Sequence, residues 1–497
     1  MPGMYSTGRL QVTLLVGAIF LAAIMGPGLV WAKPAPPASA PPPEVTFAAA
    51  ETTVSPAGRL PTQEPSDSAA TVTPGRTRPW FALSEVVGTN LVIWSYDRYI
   101  RENGTNPGFK IGFNSWEENA LNGFEWDDNS FSGNQFAHPY HGSMYFNAGR
   151  SNGFDFWTSV PFAFTGSILW EYMFETHHPA YNDWVNTSVG GTSLGEMLWR
   201  LSDLVLDDTA TGGDRRWREV AALLIDPMRG FTRLVTGENS RVGANPPGRR
   251  PGFLTARLDA GLRTVGQEEL WDSDTTRIFL DIAGQYGDPF AGDRKKPFDS
   301  FDFGLQLNFA DASVLAGARA HGLLGATDLA KGPETHHFLG AYLNYDYINN
   351  SAYVLGGQSL AAALQSRFRQ TFLGDIQTQV LLGPILIAGV KSDYESYTGR
   401  SYDYGPGALA GIGAALQRGG RPWLQFSHTQ AWVHILNGTD GDHHLSMTRV
   451  RFDQPITPGA GIGAQYLLYL AEGRYRDLED VHHRFPEVRV FLSLALS

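Results

Sequence analysis

Residues 301–309 read FDFGLQLNF, with Phe301, Phe303, Leu305, Leu307 and Phe309 alternating with Asp302, Gly304, Gln306 and Asn308. Successive side chains of a strand point to opposite faces, so this stretch has one apolar and one polar face. The pattern repeats outward from it. Upstream, Leu254, Ala256, Leu258, Ala260 and Leu262 alternate with Thr255, Arg257, Asp259, Gly261 and Arg263, followed by Ile278, Leu280 and Ile282. Downstream, comparable runs occupy 339–347, 352–364, 372–390, 408–416, 424–435, 445–452 and 462–470, and the last carries Val488, Val490, Leu492, Leu494 and Leu496.

Runs of about ten residues with one greasy and one polar face, separated by Gly/Asp/Asn/Pro-rich turns, predict an antiparallel transmembrane β-barrel. A soluble sandwich shows the same alternation. Three features favour the barrel: an export signal, an unbroken series of hairpins, and a final strand that runs to the C-terminus. Segment count and the preference for even numbers predict about 12 strands.

The rest of the chain is organised differently. Arg9 precedes an apolar run over 12–25, and Val30, Trp31 and Ala32 present residues that a signal peptidase reads, so 1–32 is expected to be a cleaved signal peptide. Residues 33–79 are rich in Pro, Ala, Ser and Thr and are expected to form a disordered linker. A helical domain over 80–246 and the barrel over 247–497 complete an α+β architecture. The expected location is the outer membrane of a Gram-negative-type bacterium, with the helical domain periplasmic or inside the barrel lumen. The expected partners are outer-membrane lipid and, during insertion, the barrel-assembly machinery. A net charge of -12 argues against nucleic acid, which needs a basic face. With no cysteine there is neither a disulfide framework nor a thiolate ligand.

Within the helical domain, helices are expected over 80–100, from Pro139 to Arg150, over 156–176, from Thr192 or Ser193 through Leu206, and over 217–235. A short strand is expected at 109–113. Ser193 and Glu196 have the spacing of a capping box, and Asp183 and Asn186 suit turn and cap roles. Gly190 and Gly191 permit positive φ or a close helix approach. Glu171 and Glu175 lie four residues apart in an otherwise apolar segment, an arrangement that must be paired, protonated or wet.

The segment FEWDDNSFSGNQFAHPYHGSMYFNAGRSNG at 124–153, with WEYMFE at 170–175 and NDWVNTSVGGTSLGE at 182–196, resembles the bacterial family called domain of unknown function 3943, or DUF3943. Members look like exported proteins that carry this helical block ahead of a barrel-like half, and the family name implies no activity. The order His, Glu, Asp-x-x-Asn, Gly, Gly is also similar to that of the VanZ-like helical membrane proteins.

Two chemistries fit the polar residues. In one, His138, Arg150, Glu171, Glu175, Asp183, Asn186 and Glu196 form a single buried network that fixes the helices, with no cofactor and no metal. In the other, His138 or His141 acts as base with Glu171, Glu175 and Asp183 in an envelope lipid or glycan hydrolase, with Ser143 or Ser167 as nucleophile or with a divalent metal on the same His and carboxylates. The pairs His177-His178 and His443-His444 are expected at element ends. A pore, whose lumen Arg257, Arg263, Arg319, Gln358 and Gln377 would line, is the third possibility. The expected role is therefore structural, binding or pore-type work in the envelope, with hydrolysis as the alternative.

Overall fold

The computed structural model describes residues 77–497 except 271–275, 292, 293, 295, 310, 312, 395–399 and 497. The expected signal peptide and nearly all of the expected linker lie outside the described residues.

Twelve antiparallel strands close on themselves, each paired with its sequence neighbours and β1 with β12. They are β1 Leu254–Val265, β2 Thr276–Tyr286, β3 Phe301–Asn308, β4 Leu315–Lys331, β5 Thr335–Asn349, β6 Val354–Thr371, β7 Gly374–Lys391, β8 Tyr402–Arg418, β9 Arg421–His434, β10 Gly441–Pro455, β11 Ala460–Tyr475 and β12 Val481–Ala495. The period-two pattern assigns the faces. Arg257, Asp281, Asp302, Arg319, Gln377 and Arg449 line one cavity that all twelve strands border. Leu262, Ile278, Val380, Leu382, Ile412, Val450, Val490 and Leu492 stand exposed on the other side. A wall with every strand paired, polar within and apolar without, has the construction of an outer-membrane barrel.

β4 is the strand that alternation misses. Its outward positions, Ala316, Ala318, Ala320 and Gly322, are small, and bulges after Leu323 and Asp328 break its period. The reason lies in what covers it: a helix packs on this strand, and Ser193 Oγ donates to Ala320 O at 3.0 Å. A large apolar side chain there would hold the helix away.

The helices are α1 Pro79–Tyr99, α2 Phe113–Asn122, α3 His138–Ser151, α4 Phe156–Met173, α5 Tyr181–Val185, α6 Gly191–Val205, α7 Gly212–Ile225 and α8 Pro227–Val235. Two π turns join them, Gly133–Ala137 into α3 and Asn186–Gly190 between α5 and α6. Several expectations need correction. The strand at 109–113 is instead a 3-10 turn, Pro107–Phe109, followed by α2; Asn106 Oδ1 accepts from Gly108 N at 2.8 Å and starts the turn. The helix over 156–176 ends at Met173, where the side chain of Asn119 donates to the carbonyls of Glu171 and Glu175. No helix starts at Ser193, because α5, the π turn and α6 run on without interruption. Ser193 and Glu196 therefore form no capping box; Asp183 stands in the first turn of α5 without capping it, and Asn186 lies where α5 runs on into the second π turn. The helix over 217–235 is two, broken at Asp226, whose carboxylate accepts from Arg229 N at 3.1 Å before Pro227.

The helical block lies against the outer wall, not in the lumen. Leu343 and Phe303, outward residues of β5 and β3, share a core with Leu194, Leu198 and Leu201 of α6. Phe131 stacks on outward Tyr347 with centroids 5.6 Å apart. None of the described helices is long and apolar enough to cross a membrane.

Candidate functional site

Four segments deliver the polar residues to one place beneath this block. The first π turn leads into α3, which opens on His138; α4 carries Glu171, and Glu175 follows its end; α5 supplies Asp183 and the second π turn Thr187. A π turn inserts one residue and rotates the chain beyond it, a device common at functional positions. His138 Nδ1 lies 3.1 Å from Thr187 Oγ1, while Nε2 faces Asp183 Oδ2 at 3.7 Å, beyond hydrogen-bond distance. Asp183 Oδ1 accepts from Asn182 Nδ2 at 2.7 Å. Glu171 Oε2 accepts from Ala180 N at 2.8 Å, and its fully buried Oε1 faces no donor. One ligand atom from each of His138, Glu171 and Asp183 lies within 4.8 Å of the others.

Burial controls the protonation of this group. It pushes the Glu171 carboxyl up to about 8. Burial, then the neighbouring Glu171, holds Glu175 well above the carboxylate range. Asp183 is raised likewise by burial, then by Asp127 and Glu171. The two histidines move the opposite way: burial lowers His138 to about 4 and His141 to about 3. In the cation-free site burial thus favours the protonated carboxyls and the neutral imidazoles.

A stability prediction follows for the cation-free protein. A carboxyl whose folded pKa is raised contributes stability that is fully present below its unfolded pKa and lost as pH rises through the folded value. The histidines, lowered on folding, add no further slope above about 6.5, their unfolded value. Between pH 6.5 and 8 only the carboxyls act, so the stability of the helical block should fall as pH rises. Hydrogen-exchange protection of α3 to α6, measured in chelator at both pH values and corrected for intrinsic exchange, tests this; protection that rises with pH would contradict it.

The expected single network divides in two. Glu196, fully buried, pairs with Arg150 Nε at 2.7 Å and Arg200 Nε at 2.8 Å. Among the described residues these three make no ion pair or hydrogen bond to His138, Glu171 or Asp183. Asn186 is buried with neither amide atom partnered. Ser143 Oγ donates to Tyr140 O, and Ser167 Oγ is buried without a partner, so neither serine meets an imidazole. His178 bonds Glu125, and His443, near the start of β10, is buried against Asp403 at 2.9 Å.

The barrel contributes residues that sequence reasoning missed. The Tyr404 hydroxyl accepts from Asn182 Nδ2 at 3.4 Å and Gln135 Nε2 at 3.3 Å, and Tyr402 accepts from Asn134 at 2.9 Å. These tyrosines lie more than 200 residues away in sequence, and no local spacing signals them. Thr187 was within reach, inside the quoted NDWVNTSVGG, but helical periodicity could not show that a π turn aims it at His138.

The lumen is a second candidate, a cavity of about 1030 Å³. Arg257, Arg319 and Gln377 border it as expected, whereas the Gln358 amide, though its residue borders the cavity, reaches the helical block, where a Cβ on Gly190 would stand 3.0 Å from its Nε2. Arg263 does not: it is buried in ion pairs with Glu487 at 2.9 Å and Asp311 at 2.6 Å. Arg489 reaches across from β12 to Gln306 of β3 at 3.0 Å. Among the described residues Arg319 and Arg449 make no ion pair, and Nη2 of Arg449 has no hydrogen-bond partner.

Residues 123–228 match the model of the family described as "Domain of unknown function (DUF3943)", so the resemblance read from the motifs is carried by the helical block. A comparison with curated proteins finds no match. Among solved structures, the chain is similar to the NanC porin, at 7% identity and a TM-score of 0.25, covering 48% of this chain and 98% of that one. It is also similar to the Pseudomonas putida toluene transporter TodX, at 7% identity and a TM-score of 0.21, covering 50% and 90%. A third is Pseudomonas aeruginosa OpdO, at 9% identity and 0.19, covering 49% and 96%.

Proposed function

We propose that the barrel is an outer-membrane channel for small anionic solutes and that the helical block is its lateral brace. The observation that carries this reading is the lumen: the helices lie outside it, and its lining carries six arginines against the four aspartates Asp281, Asp302, Asp346 and Asp453, with neither Arg319 nor Arg449 held in an ion pair among the described residues. A guanidinium in a narrow, low-dielectric passage attracts anions and repels cations. The hydrolytic alternative has less support. His138, Glu171 and Asp183 are enclosed, with side-chain exposures of 15% for His138 and 3% for Asp183, and neither Ser143 nor Ser167 meets an imidazole.

Reconstitution in planar bilayers tests the reading. Discrete conductance steps are expected, with a reversal potential under a KCl gradient that reports chloride preference. Arg319→Ala combined with Arg449→Ala should shift that potential toward cation preference several-fold without changing heat-modifiable migration on gels. Silence at all voltages, or a wild-type preference for potassium, would overturn it.

A further inference from the structure

We propose that His138, Glu171 and Asp183 bind a divalent transition-metal ion of the kind that accepts mixed imidazole and carboxylate ligands, with zinc as the reference ion and manganese as the nearest alternative. The arrangement of held and free atoms carries the inference. Each of the three side chains has one polar atom fixed by a neighbour: His138 Nδ1 by Thr187 Oγ1, Glu171 Oε2 by Ala180 N, and Asp183 Oδ1 by Asn182 Nδ2. Each keeps its other polar atom out of any hydrogen bond with these neighbours. Orientation of a ligand through its second atom is how proteins prepare a metal site.

The spacing agrees. Nε2 of His138 and Oδ2 of Asp183 stand 3.7 Å apart, too far for a hydrogen bond. Two ligands of a tetrahedral zinc are about 3.4 Å apart, given bond lengths near 2.0–2.1 Å. The surroundings of Glu171 Oε1 point the same way. On a side chain with no solvent exposure, this oxygen meets no N–H donor, and the group against it is a second buried carboxyl, Glu175, a contact that only a shared proton or a cation can hold. Two ionised carboxylates in this contact would carry a large burial cost, which a dication between them and a neutral imidazole offsets.

The site is separate from the lumen, so the metal inference does not depend on channel activity. The test uses the full mature chain purified in detergent, stripped with chelator and titrated with zinc alone, then with manganese alone, by calorimetry, with bound metal counted by mass spectrometry. One ion per chain is expected. Glu171→Gln and Asp183→Asn keep side-chain volume and should each weaken binding at least about tenfold. Thr187→Val, which touches only the far nitrogen of His138, should weaken it about 10–100-fold. Cobalt in place of zinc should give a visible ligand-field spectrum that Asp183→Asn alters. His178→Ala, at a surface ion pair, should leave affinity unchanged. Correct folding of each variant is checked by circular dichroism and gel migration; a variant that misfolds is replaced by Thr187→Val as the deciding case. Absence of stoichiometric binding by either ion, or binding indifferent to Asp183→Asn and Thr187→Val, would overturn the proposal.

Discussion

Glu196→Ala is expected to destabilise the helical block by about 3–5 kcal/mol, the loss typical when one partner of a buried ion pair is removed. Glu196 is fully buried and its two oxygens serve two guanidiniums, Arg150 at 2.7 Å and Arg200 at 2.8 Å. Neither arginine can follow solvent outward. Arg150 also donates to Phe154 O and lies over the Trp199 ring, while Arg200 donates to Pro297 O in the segment between β2 and β3. Removal of the carboxylate thus leaves two held cations and loosens a contact between α6 and the barrel. Glu196→Gln keeps the volume and some hydrogen bonding and should cost less. Glu125→Ala, at an exposed pair with His178, should change stability by less than about 1 kcal/mol. Urea midpoints for the helical block, read by tryptophan fluorescence in detergent, give the ranking; equal midpoints for Glu196→Ala and Glu125→Ala would contradict it.

Gly142→Ala should be of similar severity despite adding one methyl group. A Cβ at Gly142 would stand 1.7 Å from Thr187 O and 3.0 Å from the Cα of Gly191. The reciprocal Cβ on Gly191 would stand 2.4 Å from the carbonyl carbon of Gly142. Both obstacles are backbone, so no rotamer change relieves them and α3 must separate from the π turn. Overpacking costs typically about 1–3 kcal/mol and more where neither side can yield, so a loss at or above about 3 kcal/mol is expected. His138 lies one turn earlier on α3, so the same change should also pull it from Thr187. The contrast is Gly88→Ala on α1: an added Cβ there meets nothing within 4 Å. It should stabilise by about 0.5–1 kcal/mol, the helix-interior preference for alanine over glycine. Identical melting of the two variants would refute the close-crossing argument.

Eleven strands could be read from alternation because one side of the wall meets water and the other an apolar surroundings, which forces a period of two. β4 escaped because its outward face meets a helix, and small residues serve that contact better than large ones. The helices were legible in number and approximate place where they stand alone, as α1 and α3 do. They were misread where continuity depended on a π turn, since a 3.6-residue period assumes one uniform register. Of the site, His138, Glu171 and Asp183 could be named in advance because charged groups among Trp, Phe and Tyr are costly without partners. Their division from Arg150 and Glu196, and the roles of Tyr402 and Tyr404, arise from tertiary packing over distances that no local pattern encodes.

A bare cylinder of twelve strands looks the same to the membrane from every direction. This one does not: helices shield the arc around β3 to β6, while Phe426, Val450, Phe452, Ile462, Val490 and Leu492 leave the arc from β9 to β12 open. The protein therefore has a front and a back in the plane of the bilayer. A neighbour in the bilayer, lipid or protein, meets bare apolar strand on the back and helix on the front.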